Sequence, residues 1–249
     1  MHKTIYMVSG NKGGVGKSLF CLALASSLDM MGELYAVFDG DGRTGDVFNI
    51  FNRKCPARWG DFRNLRPESH VCKLDGEYED TLHKLLQGSP NLIVNTPDGA
   101  DSVLTKWFDV TLKHTESNNY QFKFIYLMSD RPDGLDILPE LAERFQFLYP
   151  IRNLHFGNAG LFSAFNRDYM SGFKVIVDLP PLRSEEVRML FDVKTHPAEA
   201  LRLKRKESNT FAFSAMTRSR LLEWQKQVNE LLIDVIENRD MPNLEFGKW

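Results

Sequence analysis

A chain of 249 residues with 43% hydrophobic side chains suits one α/β domain with a helical extension and a normal core. Its net charge of −2 provides no global attraction to nucleic acid or anionic lipid, so contact with either must come from a local patch or a dimer face. Cys21, Cys55 and Cys72 include no C-x-x-C pair and are odd in number, which disfavours a disulfide framework or a zinc site and reads as reduced thiols.

The first element is a strand over about residues 3 to 9, built on the apolar run Ile5-Tyr6-Met7-Val8. It leads through Ser9-Gly10-Asn11-Lys12-Gly13-Gly14-Val15-Gly16-Lys17-Ser18 into a helix from Gly16 to about Met31, with Gly32 as C-cap. Strand, glycine loop and helix in this order form a phosphate-binding loop. The glycines let the backbone approach a polyphosphate, and successive amides at the helix N-terminus supply positive potential. Lys17 adds a point charge, and the Ser18 hydroxyl is a magnesium ligand by type. A simple glycine turn explains the glycines but not the Lys17-Ser18 pair. Asn11 stands where the G-x-x-x-x-G-K-[ST] string has its first glycine, and asparagine tolerates positive φ.

Lys12, five residues before Lys17, exceeds what one phosphate needs. The run Lys-Gly-Gly-Val-Gly-Lys-Ser at 12–18 resembles the deviant Walker A loop of the ParA/MinD ATPases of the SIMIBI class, down to an amide residue, Asn11, before the first lysine. That resemblance implies ATP or ADP held by Asn11, Lys12, Gly13, Gly14, Val15, Gly16, Lys17, Ser18 and Leu19, with magnesium on Ser18. It also implies an ATP-dependent homodimer in which Lys12 is catalytic, reaching across to the partner subunit's phosphates.

A second strand, Leu34 to Phe38, delivers Asp39-Gly40-Asp41 at a strand's carboxyl end, the edge where open α/β sheets bind ligands. A solvated Asp-Gly turn fits the same residues. By its likeness to the family's switch I segment, Asp41 is the second catalytic candidate, positioning magnesium and the attacking water, and Asp39 is a further metal candidate. Residues 47 to 77 show no period and read as short helices and loop. A helix over Glu79–Gln87 is closed by Gly88-Ser89-Pro90.

Asn91 to Asp101 resembles the family's Walker B strand and switch II loop, with Asn95 in place of the usual aspartate. The Asn95 carbonyl can accept from a magnesium-bound water, but an amide carries no charge to favour the metal or take a proton, which puts hydrolysis in doubt more than binding. Phe173 to Pro181 competes for the same role and keeps an aspartate, Asp178. Between them lie a strand at Phe122–Met128, a helix carrying Leu138, Leu141 and Phe145, and a strand from about Phe147 to Ile151. The family's pattern makes Asn153 a candidate for reading the adenine edge and Pro180 a candidate for bordering the base; an ordinary strand-end asparagine fits position 153 equally.

After Pro197 helical patterning dominates, and Leu221, Trp224, Val228, Leu231 and Val235 mark one helical face between Ser219 and Asn238, as a packing face or a partner-binding seam. From Lys194 to Arg220 seven basic residues face two acidic ones, a local balance of +5 that suits nonspecific DNA phosphates or a solvated surface. Met241–Trp249 is too short and too weakly basic for a membrane-targeting helix. No apolar run reaches the roughly 18 residues of a membrane span. The phosphate loop begins too near the N-terminus to leave room for a signal peptide, so a cytoplasmic protein is expected.

Alternating strands and helices predict a doubly wound, mostly parallel sheet: a single domain with a nucleotide-binding core over about 1–195 and C-terminal helices over about 196–240. The order of motifs resembles plasmid-borne StbB/TraL-type members, which implies an ATPase switch in plasmid partition, stability or conjugative transfer, with a plasmid-encoded partner protein. Two other readings stay open: an ATP-dependent synthetase or amidotransferase-like enzyme on the same fold, and a nucleotide-gated adaptor with little turnover. A cluster-bearing electron carrier would need paired cysteines near switch II, and none lies between residues 91 and 130.

Overall fold

The computed structural model describes residues 3–10, 12–60, 87–98, 100, 120–202 and 213–237. Asn11, Cys72, nearly all of the helix expected over Glu79–Gln87, the run Lys204-Arg205-Lys206 and Met241–Trp249 lie outside these residues.

Among the described residues seven strands form one sheet, every pairing parallel: β1 Lys3–Gly10, β2 Tyr35–Asp39, β3 Ala57–Trp59, β4 Asn91–Asn95, β5 Tyr120–Met128, β6 Leu148–Asn153 and β7 Val177–Leu179. Their order is β3-β2-β4-β1-β5-β6-β7. The described helices are α1 Lys17–Met31, α2 Asp46–Phe51, α3 Leu138–Arg144, α4 Ser163–Asp168, α5 Ser184–Val193, α6 Pro197–Arg202 and α7 Ala215–Ile236.

Parallel strands must be covered on both faces, and the alternation along β1 shows how this is met. Tyr6 and Val8 enter the layer under α1 and α7, beside Phe20, Leu24, Trp224 and Val228, while Ile5 and Met7 enter the opposite layer with Phe38, Phe124, Leu138 and Phe162. The register pairs Val8 with Asn95 and Asp39 with Asn95. The carboxyl ends of β1, β2 and β4 therefore finish level, and the residues that follow them share one edge.

Helix α1 is buried almost all round from Phe20 to Leu28 because it lies between the sheet and the C-terminal helices. It ends where Gly32, at φ 75°, turns left-handed and returns its N–H to Asp29 and Leu28. Helix α7 begins four residues earlier than its periodicity predicts, capped by Ser214, whose Oγ accepts from the Thr217 N–H at 3.1 Å. Its buried line is Leu221, Trp224, Val228, Leu232 and Val235; Leu231 is only half-buried. The face turns against α1, where the fully buried Gln225 bonds Asn229 and Ser27.

The C-terminal end of α7 is held from inside the sheet. Lys123 on β5 is 1% exposed, and its ammonium donates to the carbonyls of Val235 and Ile236 at 2.7 and 2.8 Å. Those carbonyls belong to the last turn, which has no further N–H to offer them. The charge also sits 5.4 Å from the Tyr6 ring centroid.

Two elements were not expected from the sequence. Strand β3 forms where only loop and short helix were expected, and α5 forms ahead of Pro197, in a stretch to which no helix was assigned. No described helix is long and apolar enough to cross a membrane.

Candidate functional site

The loop after β1 wraps the amino end of α1. Gly16 sits at φ 103° and offers no capping side chain, so the first amides of α1 are left open. Gly14, at φ 74°, makes a second left-handed turn. A side chain at position 16 is blocked twice, by that φ and by the Asn153 amide nitrogen, which would lie 2.6 Å from its Cβ.

Lys17 is 7% exposed and folds back over the loop, its ammonium donating to the Lys12 carbonyl at 3.1 Å. It also meets Asp98 Oδ1 at 2.5 Å, in an ion pair with a carboxylate on the loop after β4. Ser18 and Lys12 are partly exposed at the same mouth. Val15 is fully buried and carries the turn into the core, and Leu19 packs against the layer beneath. Asp98 lies in the stretch likened to the switch II loop, but no sequence argument singled it out there.

Asp39, at the end of β2, is fully buried, and its carboxylate serves three N–H donors. Oδ1 accepts from the Asp41 N–H at 3.2 Å and from the Asn95 amide at 2.9 Å, and Oδ2 accepts from the Phe48 N–H at 3.0 Å. Burial raises its pKa above the usual carboxylate value, and the three donors offset part of that rise. Asp39 thus pins the start of α2 and the Asp41 loop to the sheet edge, and both its oxygens are already engaged. Asn95 is the matching donor; its oxygen lies 3.9 Å from Cys21 Sγ, a buried thiol whose pKa desolvation pushes well up.

Asp41 is partly exposed on the loop between β2 and α2, accepting the Arg43 N–H at 3.1 Å. The Trp59 indole N–H donates to the Asp41 carbonyl at 2.9 Å, and its ring stacks on Phe48 at 6.1 Å. The third strand, missed in the sequence, is what brings this clamp over the loop.

The two candidates for the Walker B position are separated by the topology. Asn95 ends β4, the immediate neighbour of β1, whereas Asp178 lies in β7, at the sheet's edge and three places from β1. There Asp178 is the bidentate partner of Arg152, at 2.6 and 2.9 Å. Asn153, the last residue of β6, is 5% exposed and faces the phosphate loop; its amide nitrogen donates to the Val15 carbonyl at 2.8 Å and its oxygen accepts from the His155 N–H at 3.0 Å. In this arrangement it buttresses the loop. Pro180 follows β7, its carbonyl accepting from the Trp224 indole at 2.8 Å.

Within the basic stretch, Arg202 pairs with Asp29, Arg220 with the buried Glu186, and Arg218 donates to the Leu201 carbonyl. Three of its seven cations are thus tied within the chain. Among the described residues no three His, Cys, Asp or Glu side chains converge as a metal cage.

Two solved structures share this architecture: a nucleotide-binding protein from Archaeoglobus fulgidus in complex with ADP, and a plasmid partition protein from Borrelia burgdorferi B31 bound to AMPPNP. The first is 13% identical with a TM-score of 0.53, covering 76% of this chain and 86% of its own. The second is 14% identical with a TM-score of 0.52, covering 95% of this chain and all of its own. What these likenesses show is the fold, an all-parallel seven-stranded α/β sheet flanked by helices. By sequence, Protein MobD of Acidithiobacillus ferrooxidans is 22% identical over 171 residues, 67% of this chain and 70% of the relative. No family model matches the chain. The mouth of α1, the loop residues, Asp41 and Asn95 all lie along the edge formed by the carboxyl ends of β1, β2 and β4.

Proposed function

We propose that the chain is an ATP-dependent switch of the ParA/MinD kind that dimerises on binding ATP and hydrolyses it slowly. The observation that carries this reading is the convergence at one point of the Lys17 ammonium, the open amides of α1 and the partly exposed Ser18, with Lys12 beside them. Lys17 and the amides bind phosphate, and Lys12 supplies a cation to the partner subunit's nucleotide. A cation supplied in trans can be worth roughly 10³ to 10⁵ in phosphoryl-transfer rate.

A hydroxyl at Ser18 and a carboxylate at Asp41 fit magnesium, which takes oxygen donors and few protein ligands when phosphates complete its shell. Asp39 fits less well, since three N–H groups already use its oxygens. Bound there, magnesium would neutralise charge between the phosphates; Asp41 would orient the attacking water, and Asn95 would contribute only a neutral carbonyl. That neutrality favours slow turnover, and a nucleotide-gated adaptor with little hydrolysis is the second reading. The likeness to a plasmid partition protein supports a role in plasmid partition, stability or transfer, with a plasmid-encoded partner.

The deciding experiment compares lysines. Lys17→Ala should abolish ATP binding, whereas Lys12→Ala should keep binding and lose ATP-dependent dimerisation in light scattering; a Lys12 variant that dimerises normally sinks the sandwich mechanism. Asp41→Ala should bind ATP and dimerise without releasing phosphate. Wild-type dimers that release no phosphate, even with partner and DNA present, would establish the adaptor.

A further inference from the structure

The carboxylate of Asp98 occupies the place where the phosphate loop offers its charge. Lys17 Nζ meets Oδ1 at 2.5 Å. On the other side Oδ2 lies so close to the loop backbone that a Cβ at Gly13 would stand 2.4 Å from it. One carboxylate thus touches both components of the anion site, the lysine and the glycine backbone. It approaches from the solvent side: Lys17's side chain is 8% exposed and Asp98's 47%. Among the described residues Lys17 is its hydrogen-bonding partner, so the carboxylate is held by the site and by no other described group. A single ion pair of this exposure is weak enough to be exchanged.

We propose that Asp98 is a functional residue of the phosphate site, an internal anion that holds Lys17 ready and must be displaced by an incoming di- or triphosphate. This rests on the nucleotide reading and deepens it. A phosphate and the Asp98 carboxylate cannot share the lysine and the Gly13 backbone, so the apparent affinity falls by the fraction of sites the carboxylate fills. Displacement also moves the loop after β4, three residues beyond Asn95, and so links occupancy of the site to the position of that loop.

The test titrates ADP into the full chain in EDTA, so that metal ligation does not enter, by calorimetry or with a fluorescent ADP analogue. Asp98→Asn should bind ADP more tightly, by up to about fivefold, the factor expected from losing a partly exposed competing ion pair. Asp98→Glu, which keeps the charge, should stay nearer the wild type than Asp98→Asn, and Lys17→Ala should lose binding. The proposal is overturned if Lys17→Ala loses ADP while Asp98→Asn binds no tighter than the wild type. If neither the wild type nor Asp98→Asn takes up ADP, the nucleotide reading itself falls, and this proposal with it. The Asp98 side chain is itself exposed, so the substitutions at position 98 leave the core untouched.

Discussion

The Asn95 side chain donates to the carboxylate of the fully buried Asp39 across 2.9 Å, joining the ends of β4 and β2. An amide suits this place because its neighbour is a fully buried carboxylate whose pKa burial already raises; two carboxylates at that distance cannot both stay charged. Asn95→Asp, which restores the family's aspartate, should therefore cost about 3 kcal/mol of stability at pH 8 without bound nucleotide. The loss should shrink at pH 5, where the pair holds a proton. Urea denaturation at the two pH values measures this, and a variant as stable as the wild type at pH 8 would show that Asp39 does not need its donor.

Asn153 offers a way to separate support of the loop from reading of the base. Its amide binds the Val15 carbonyl, behind the loop. Asn153→Ala leaves that carbonyl without its partner and opens space against Gly16, so it should weaken ATP and inorganic triphosphate by a similar factor, about fivefold or more. A base-reading residue would leave triphosphate binding unchanged while ATP fell. Competition binding with the two ligands decides between them.

Lys123 is a buried cation whose pKa desolvation lowers to about 7, against 10.5 for the free side chain. Between those values the unfolded chain holds more protons than the folded one, so stability should rise with pH from 7 towards 10. Lys123→Met should flatten that rise by at least about 2 kcal/mol. It should also loosen the last turn of α7, whose Val235 and Ile236 carbonyls lose their donor. Denaturation at stepped pH tests the first effect, and amide exchange over the end of α7 tests the second.

The loop and its helix were legible because their chemistry is local. Positive φ at Gly14 and Gly16, the cap at Gly32 and the lysine at the helix mouth each follow from residue type. What separates Asp39 from Asp41 is not local: the two differ only in which side of the strand end they fall, and the register that buries the first is set by Asn95 on β4, 56 residues on. Strand β3 is three residues long with Arg58 and Trp59 exposed, so it shows no hydrophobic alternation. Helix α5 was missed although Ser184-Glu185-Glu186 places acids in a first turn, a usable start signal. The likeness to switch II took in Asp98 without singling it out, since its meaning comes from Lys17, eighty-one residues earlier. The arginines at 202, 218 and 220 show the converse: a run of charge suggests a surface for phosphate, while each side chain has an acceptor in its own fold.

Trp59, half-exposed over the loop it clamps, has a consequence for observing the protein at work. Its indole touches the Asp41 carbonyl directly, whereas Trp224 is sealed against Pro180. The loop proposed to time hydrolysis therefore has a native fluorophore on the strand beside it. Nucleotide that reorganises the segment should change the emission and quenching of Trp59, and Trp59→Phe should erase that signal, so the opening and closing of the loop can be followed in real time without a label.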